Sequence, residues 1–266
     1  MNVMFWNTNG TADADVIAGL ASEHGVDVLV LAELDHDRER DLLRRSRDFR
    51  VVNKVRTRVR PIRIFSRYAA DAVVLLSRMK GWDGCRLRIP GANAPITLIG
   101  VHLRSKLHSD ESDRTYGARE LSRYIAERET ELGDSNTLVI GDFNADPFEA
   151  SMVEANALHG VMTRDIARKR SRTVAEVRRP FFYNPMWSRL GDGSCGPPGT
   201  YYHADSGQNA QFWHTFDQVL LRPALLPYFS HAALRVVERF RGRDLLRPSG
   251  RKAGQSDHLP IVVGLA

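Results

Sequence analysis

Thr137-Leu138-Val139-Ile140-Gly141-Asp142-Phe143-Asn144 is an apolar run that breaks into a glycine, a carboxylate and a carboxamide. Thr137 to Ile140 reads as a strand buried on both faces. Such a strand has no need of Asp142 and Asn144 side by side. Spaced i, i+2, they face one side if the backbone stays extended. Outward from this stretch the arrangement recurs. Asn2 to Asn7 reads as a strand ending on Asn7, and the nearly all-apolar Val26 to Ala32 is followed by Glu33. Pro95 to Val101 is followed by His102, Asp217 lies within the strand-like run Phe212 to Leu221, and Asp257-His258 precedes the last strand, Pro260 to Leu265. Ligand crevices in open α/β folds form at strand ends. Carboxylates gathered there with amides and histidines make an oxygen-rich site for a hard cation such as Mg²⁺.

Between the strands the period becomes helical. Thr11 to His24 carries Val16, Ile17 and Leu20 on one face, with Gly25 as its stop. A charged, helix-like stretch runs from Asp35 to Asp48, and Glu111 to Leu132 has the stripe Leu121, Ile125, Leu132. Asp146-Pro147-Phe148-Glu149 offers an N-cap, a proline at the first helical position and a Glu three residues after the cap. Further strands are expected at Phe49 to Val55, Asp71 to Leu76, Cys85 to Ile89 and Ala232 to Glu238. Pro180 to Gly199, rich in Gly, Pro and aromatics, reads as a long surface loop. With no internal repeat or low-complexity linker, residues 1–266 are expected to form one domain of mixed α/β layers.

Composition narrows the function classes. The chain has 266 residues, 42% hydrophobic and 26% charged, which suits a large core and not wholesale disorder. No stretch approaches the roughly 18 consecutive apolar residues of a membrane span. The N-terminus lacks the basic start of a signal peptide. Two cysteines, Cys85 and Cys195, exclude a disulfide scaffold and a Cys/His zinc site, and fit a reducing, cytoplasmic setting. A net charge of +6 favours polyanionic partners. Nearly all the basic charge is arginine, which reflects either codon bias or guanidinium forks for phosphate oxygens.

Six stretches, taken in order, resemble the endonuclease/exonuclease/phosphatase superfamily. They are Phe5-Trp6-Asn7-Thr8-Asn9-Gly10, Asp27 to Glu33, Val101-His102-Leu103, Gly141-Asp142-Phe143-Asn144, Phe216-Asp217-Gln218-Val219-Leu220 and Ser256-Asp257-His258-Leu259-Pro260. The resemblance implies a four-layer α/β sandwich, two packed mixed β-sheets flanked by helices. It implies a Mg²⁺-dependent phosphodiesterase, with Mn²⁺ as a substitute ion. Glu33 would be the main metal carboxylate, with Asn7 adjusting its geometry and Asp257 a further carboxylate at the metal. Asp142 would align or deprotonate the attacking water and Asn144 hold that water or the phosphate. His258 would contact the scissile phosphate with Asp217 fixing its tautomer, and His102 would donate to the phosphate or the leaving oxygen. Ala32 stands where the family usually has Gln, and Gln218 where Tyr or His is common; neither change removes a catalytic group.

For substrate, the basic balance favours nucleic acid, and the chain is expected to act as a monomer. Arginine-dense tracts run from Arg38 to Arg67, Arg164 to Arg179 and Arg235 to Arg251, with Phe49, Phe65, Tyr68, Phe181, Phe182, Tyr183 and Trp187 interleaved as base-stacking candidates. Asn9, Arg104, Arg168, Arg170 and Arg172 are the candidate substrate contacts. In the first tract Asp37, Glu39, Asp41 and Asp48 offset the charge. The alternative is a phosphoesterase for a lipid headgroup or small phosphate ester. Ala145-Asp146-Pro147 after the Gly-Asp-Phe-Asn stretch disfavours the inositol polyphosphate phosphatase branch. A catalytically inactive binding module ranks last, because Glu33, Asp142, Asn144, Asp257 and His258 are all present.

Overall fold

β1 (Asn2–Asn7) and β2 (Val28–Ala32) lie parallel, with Met4 opposite Leu29 and Asn7 opposite Ala32. The computed structural model that shows this describes residues 1–53, 62–76, 81–105, 111–204, 210–246 and 255–266. Every residue of β2 is buried, as its unbroken apolar run requires. The crossover is α1 (Ala14–Glu23), which turns Ile17, Leu20 and Ala21 inward and ends before Gly25 at φ 55°. β3 (Arg50–Val51), β4 (Ile62–Ser66), β16 (Phe229–Val236) and β19 (Ile261–Leu265) complete a six-stranded sheet, ordered β16-β19-β1-β2-β4-β3, with a separate hairpin of β17 (Arg239–Phe240) and β18 (Arg243–Asp244) between β16 and β19 in the chain.

The second sheet repeats the device. β7 (Ile96–His102) and β8 (Thr137–Asp142) are parallel, with His102 opposite Asp142, and α3 (Glu111–Leu132) is their crossover. With β5 (Val73–Leu75), β6 (Trp82–Leu87), β9 (Gly160–Val161), β12 (Phe182–Tyr183) and β15 (Asp217–Leu221) it runs β5-β6-β7-β8-β15-β12-β9.

Strand alternation assigns the layers. Phe5, Val28, Val30 and Ile64 of the first sheet share one apolar cluster with Leu98, Leu138, Ile140 and Val219 of the second, so the sheets pack face to face. Met4, Trp6, Leu29 and Leu31 point the other way, onto Ile17 and Leu20 of α1 and Leu42 of α2 (His36–Arg45). Ile99, Val101 and Val139 likewise meet Leu121 and Ile125 of α3. Helices, sheet, sheet, helices give the four-layer α/β sandwich. Among the described residues no helix is long and apolar enough to cross a membrane.

Several expectations need correction. β4 lies unrecognised inside the first arginine tract: Arg63 interrupts its apolar pattern, yet the residue is buried and its charge is met by Glu39 at 2.5 Å. The strand expected at Phe49 to Val55 is reduced to β3, with positions 54 and 55 outside the described residues. Pro180 to Gly199 does not begin as surface loop: Phe181 to Met186 are buried, and β12 is a strand of the second sheet. Phe212 to Leu221 is two strands. β14 (Trp213–His214) pairs with β13 (Tyr201–Tyr202), and β15 starts afresh at Asp217. The second arginine tract folds as α5 (Arg164–Arg168) and a hairpin of β10 (Ser171–Val174) and β11 (Val177–Pro180).

Candidate active site

The two parallel pairs deliver their C-terminal ends to one rim. Asn7 and Glu33 come from the first sheet, His102 and Asp142 from the second. The antiparallel neighbours begin there: β15 at Asp217, opposite Asp142, and β19 just after Asp257-His258. Asn7 fastens the sheets together, its Nδ2 donating to Glu33 Oε1 at 3.3 Å and Asp142 Oδ2 at 3.1 Å. Its Oδ1 accepts the Asn9 N–H at 3.1 Å. His102 Nε2 stands 3.4 Å from Glu33 Oε1 and 3.8 Å from Asp142 Oδ2.

Asp142 and Asn144 both line the cleft, but not through an extended strand. Asp142 Oδ1 accepts the Asn144 N–H at 2.8 Å, and Asn144 turns to φ 50° while its Nδ2 donates to the Leu103 carbonyl at 3.0 Å. Asn9 and Glu33 are also left-handed, at φ 46° and 54°. Asn9, Glu33 and Asn144 thus place three left-handed non-glycine residues around one cleft, where two of them are asparagines that tolerate the region.

His258 closes the site. Trp6 Nε1 donates to its carbonyl at 2.9 Å, and Ser256 Oγ donates to the Asn7 carbonyl at 2.6 Å, anchoring the turn to β1. Its Nδ1 is 2.8 Å from Asp217 Oδ2, and its Nε2 is 3.9 Å from Asp142 Oδ2. Burial alone would lower the His258 pKa, but the charges of Asp217 and Asp142 and the Asp217 hydrogen bond outweigh it and raise it to about 10. Burial pushes Asp217 up and His258 pulls it back only in part, so the two titrate as a pair. A folded pKa above 6.5 gives a contribution to stability that is full below about pH 6.5 and lost as pH rises toward about 10. The melting temperature measured in chelator should fall across that window, and His258→Gln should flatten the fall.

The cleft is lined by the carboxylates of Glu33, Asp142 and Asp257 and, among the described residues, by no lysine or arginine. That donor set fits a hard divalent cation. Asp142, Asp217 and His258 also cluster closely enough to ligate a metal. The Asp217–His258 hydrogen bond makes two of that trio a proton-holding pair beside the Asp142 carboxylate.

A model of the Endonuclease/Exonuclease/phosphatase family matches residues 4–258. The chain belongs to this family. Its members hydrolyse phosphoester bonds. No curated protein matches the chain significantly. The human Nocturnin catalytic domain with bound sulfate is similar in fold, at 19% identity and TM-score 0.58, covering 100% of this chain and 94% of that one. So is the Neisseria 3′ phosphatase NExo bound to a product DNA hairpin (15%, TM-score 0.60, 100% and 99%). A third is zebrafish (D. rerio) TDP2 complexed with a single-strand DNA product (16%, TM-score 0.58, 99% and 97%).

Within this family fold the remaining candidates separate. Asn9 lines the cleft, and Arg104 is exposed just past β7. Arg168, Arg170 and Arg172 are not at the cleft. The Arg170 carbonyl accepts from Phe181 N–H at the start of β12, and Arg222 N–H donates to Thr137, so this corner lies at the opposite end of β8 from Asp142. Arg168 pairs with Asp165 at 2.6 Å, and Arg172 Nε donates to His159 at 3.0 Å. Replacing all three by Ala should leave turnover of a small phosphodiester dye unchanged within twofold; a larger loss would place the tract in the site. Of the stacking candidates, Phe49, Phe65, Phe181, Phe182 and Tyr183 are core. In the first tract the acids do offset the arginines: Arg40 pairs with Asp37, Arg44 with Asp41 and Arg67 with Asp48.

Ser105, Tyr201, His203 and His214 of the cleft lining escaped the sequence reading, as did Asp146, which orients His214. Asp146 is no helix cap. Glu149 Oε1 does reach back to its N–H at 3.0 Å, but the Asp146 carboxylate turns away to Thr215 N–H and His214 Nδ1, each at 2.8 Å. The short helix α4 (Ala150–Val153) has Glu149 at its N-cap position instead. His214 lines the same cleft as His258.

Proposed function

We propose that the chain is a single catalytic domain, a metal-dependent phosphodiester hydrolase that cleaves nucleic acid by attack of water on phosphorus. The observation that carries this reading is the Asn7 amide joining Glu33 to Asp142 opposite a His258 imidazolium held by Asp217. A phosphodiester is anionic and repels an oxygen nucleophile, so catalysis needs positive charge and aimed donors around phosphorus. Glu33, Asp257 and Asn7 would hold Mg²⁺ or Mn²⁺. A cation bound there would neutralise phosphate charge and lower the pKa of water.

This chain's own groups do the rest. Asp142 aligns the attacking water and takes its proton. Asn144 steadies that water or the phosphate. His258 donates from Nε2 to a phosphoryl oxygen, its Nδ1–H fixed by Asp217 as in other carboxylate–imidazole hydrolases. His102 gives a proton to the leaving oxygen. Asn9 and Arg104 sit at the rim where substrate enters. For the substrate, support comes from the +6 charge and from two similarly folded proteins described with product DNA.

The test is a panel in Mg²⁺: plasmid, single-stranded DNA, RNA, an abasic duplex and a phosphodiester dye. At least one nucleic acid should be hydrolysed, with activity lost in chelator and regained with Mg²⁺ or Mn²⁺. Full activity after exhaustive chelation would contradict the metal, and hydrolysis of the dye alone would move the substrate to a small ester.

A further inference from the structure

The cleft holds a second imidazole oriented by a buried carboxylate. Asp146, 1% exposed, takes His214 Nδ1 on Oδ2 at 2.8 Å and Thr215 N–H on Oδ1 at 2.8 Å, with Gln211 Nε2 donating to Oδ2 at 3.1 Å. A carboxylate so placed keeps the ring proton on Nδ1. Nε2 is then the edge left for the cleft that His214 lines, and among the described residues it has no hydrogen-bond partner. The ring plane is fixed as well, by stacking on Phe216 at 4.6 Å and 21°.

Its position along the cleft is informative. Asn7, Glu33 and His102 form one end, and Asp142 and His258 lie next to them. Beyond His258 stands Tyr201, whose ring centroid is 4.7 Å from His258 and 6.3 Å from His214. The charges of Asp257 and Asp142 reach Tyr201 too, raising its pKa behind the larger effect of burial. His214 therefore lies one aromatic ring, Tyr201, away from the group assigned to the scissile phosphate. Since no lysine or arginine lines the cleft among the described residues, the imidazoles of His203 and His214 and the Tyr201 hydroxyl are what the protein offers an anionic group there, and of the two imidazoles His214 is the one held by a buried carboxylate.

We propose that His214, positioned by Asp146, contacts the substrate beyond the scissile phosphate in its doubly protonated form, with Nδ1–H on Asp146 and Nε2–H donating to an oxygen of a neighbouring phosphate. The inference rests on the phosphodiester-hydrolase reading and narrows its substrate to one with consecutive phosphates, as a nucleic-acid strand has.

Paired substitutions separate this role from a structural one. Asn at 214 places an amide N–H where Nδ1 sits, keeping the Asp146 bond but removing the far edge. Gln reaches toward the Nε2 position and gives up the Asp146 bond. His214→Asn should melt as the wild type does and lose at least about tenfold in kcat/KM on a short single-stranded DNA oligonucleotide, the size of a lost hydrogen bond to a charged partner. On a phosphodiester dye lacking a second phosphate the loss should be clearly smaller. His214→Gln should recover part of the oligonucleotide activity. Full oligonucleotide activity in His214→Asn, or equal losses on both substrates, overturns the proposal. An independent arm needs no turnover: the His214 imidazole resonances of the Asp142→Asn variant should move as the oligonucleotide is added. Absence of binding, or binding that leaves them unmoved, overturns it. A wild type inactive on both substrates would instead sink the hydrolase reading, so the two failures are distinguishable.

Discussion

Asp142→Asn should lower turnover by on the order of a hundredfold or more, because it removes the group that aligns the water and takes its proton. The fold should survive. Asp142 accepts two hydrogen bonds, from Asn144 N–H and Asn7 Nδ2. An asparagine keeps the first through its Oδ1 and sets two amide donors against each other at the second, a cost of about 1–3 kcal/mol. Loss of the charge also relieves its repulsion of Asp217. The same substitution should lower the His258 pKa, since Asp142 is among the charges that raise it. Turnover, melting temperature and the His258 imidazole titration thus read one variant three ways. Near-normal turnover would remove Asp142 from the mechanism; lost turnover with an unchanged His258 titration would mean that the carboxylate does not act on that pair.

The six stretches that carry the chemistry were legible because strand ends announce themselves. An apolar run has to stop somewhere, and a carboxylate, amide or imidazole at that point reads, taken alone, as a turn residue or an ordinary strand-end charge; it is the six together, in family order, that point to a site. Both parallel pairs could be placed this way, with Asn7 and Glu33 on one and His102 and Asp142 on the other. What could not be read was how the last turn of backbone aims each group. The i, i+2 spacing of Asp142 and Asn144 pointed to a shared face, which the structure reaches by a turn at Asn144 and not by extension.

Where sequence reading failed, one residue did a job that another pattern imitated. Arg63 is charged, so β4 looked like part of a solvated arginine tract; burial with Glu39 makes it a core strand residue. Phe181, Phe182 and Tyr183 followed a basic stretch and suggested base stacking, yet they fill the interior. Asp146 before Pro147 imitated an N-cap so well that its role in orienting His214 was hidden. Only the break at Thr215-Phe216 brings His214 to the cleft, and an apolar-looking run of ten residues does not advertise such a break. One usable signal was a further carboxylate four residues past Asp142 in the same strand-end loop.

Gly141→Ala should be among the most damaging single methyl groups this chain could receive. The residue sits in β8 directly opposite Val101 of β7, one position before the His102–Asp142 pair. A Cβ built there would lie 2.1 Å from the Val101 carbonyl oxygen and 2.7 Å from that residue's C and N. Those atoms are backbone in the middle of a sheet, so no rotamer change relieves the clash; the parallel strands must part. The cost should reach the upper end of overpacking effects, about 3 kcal/mol or more. For a chain of this size that corresponds to a fall in melting temperature of roughly 6–12 °C. Because β7 carries His102 and β8 carries Asp142, the strands that separate are the ones that bring the two together, and activity should fall even in the molecules that remain folded. Gly117→Ala is the control: it lies in α3 with nothing within 4 Å of the added carbon, and should be neutral or stabilising by up to about 1 kcal/mol. Equal melting temperatures for the two variants would mean that β7 and β8 do not approach as closely as the structure shows, and the alignment of His102 with Asp142 would fail with them.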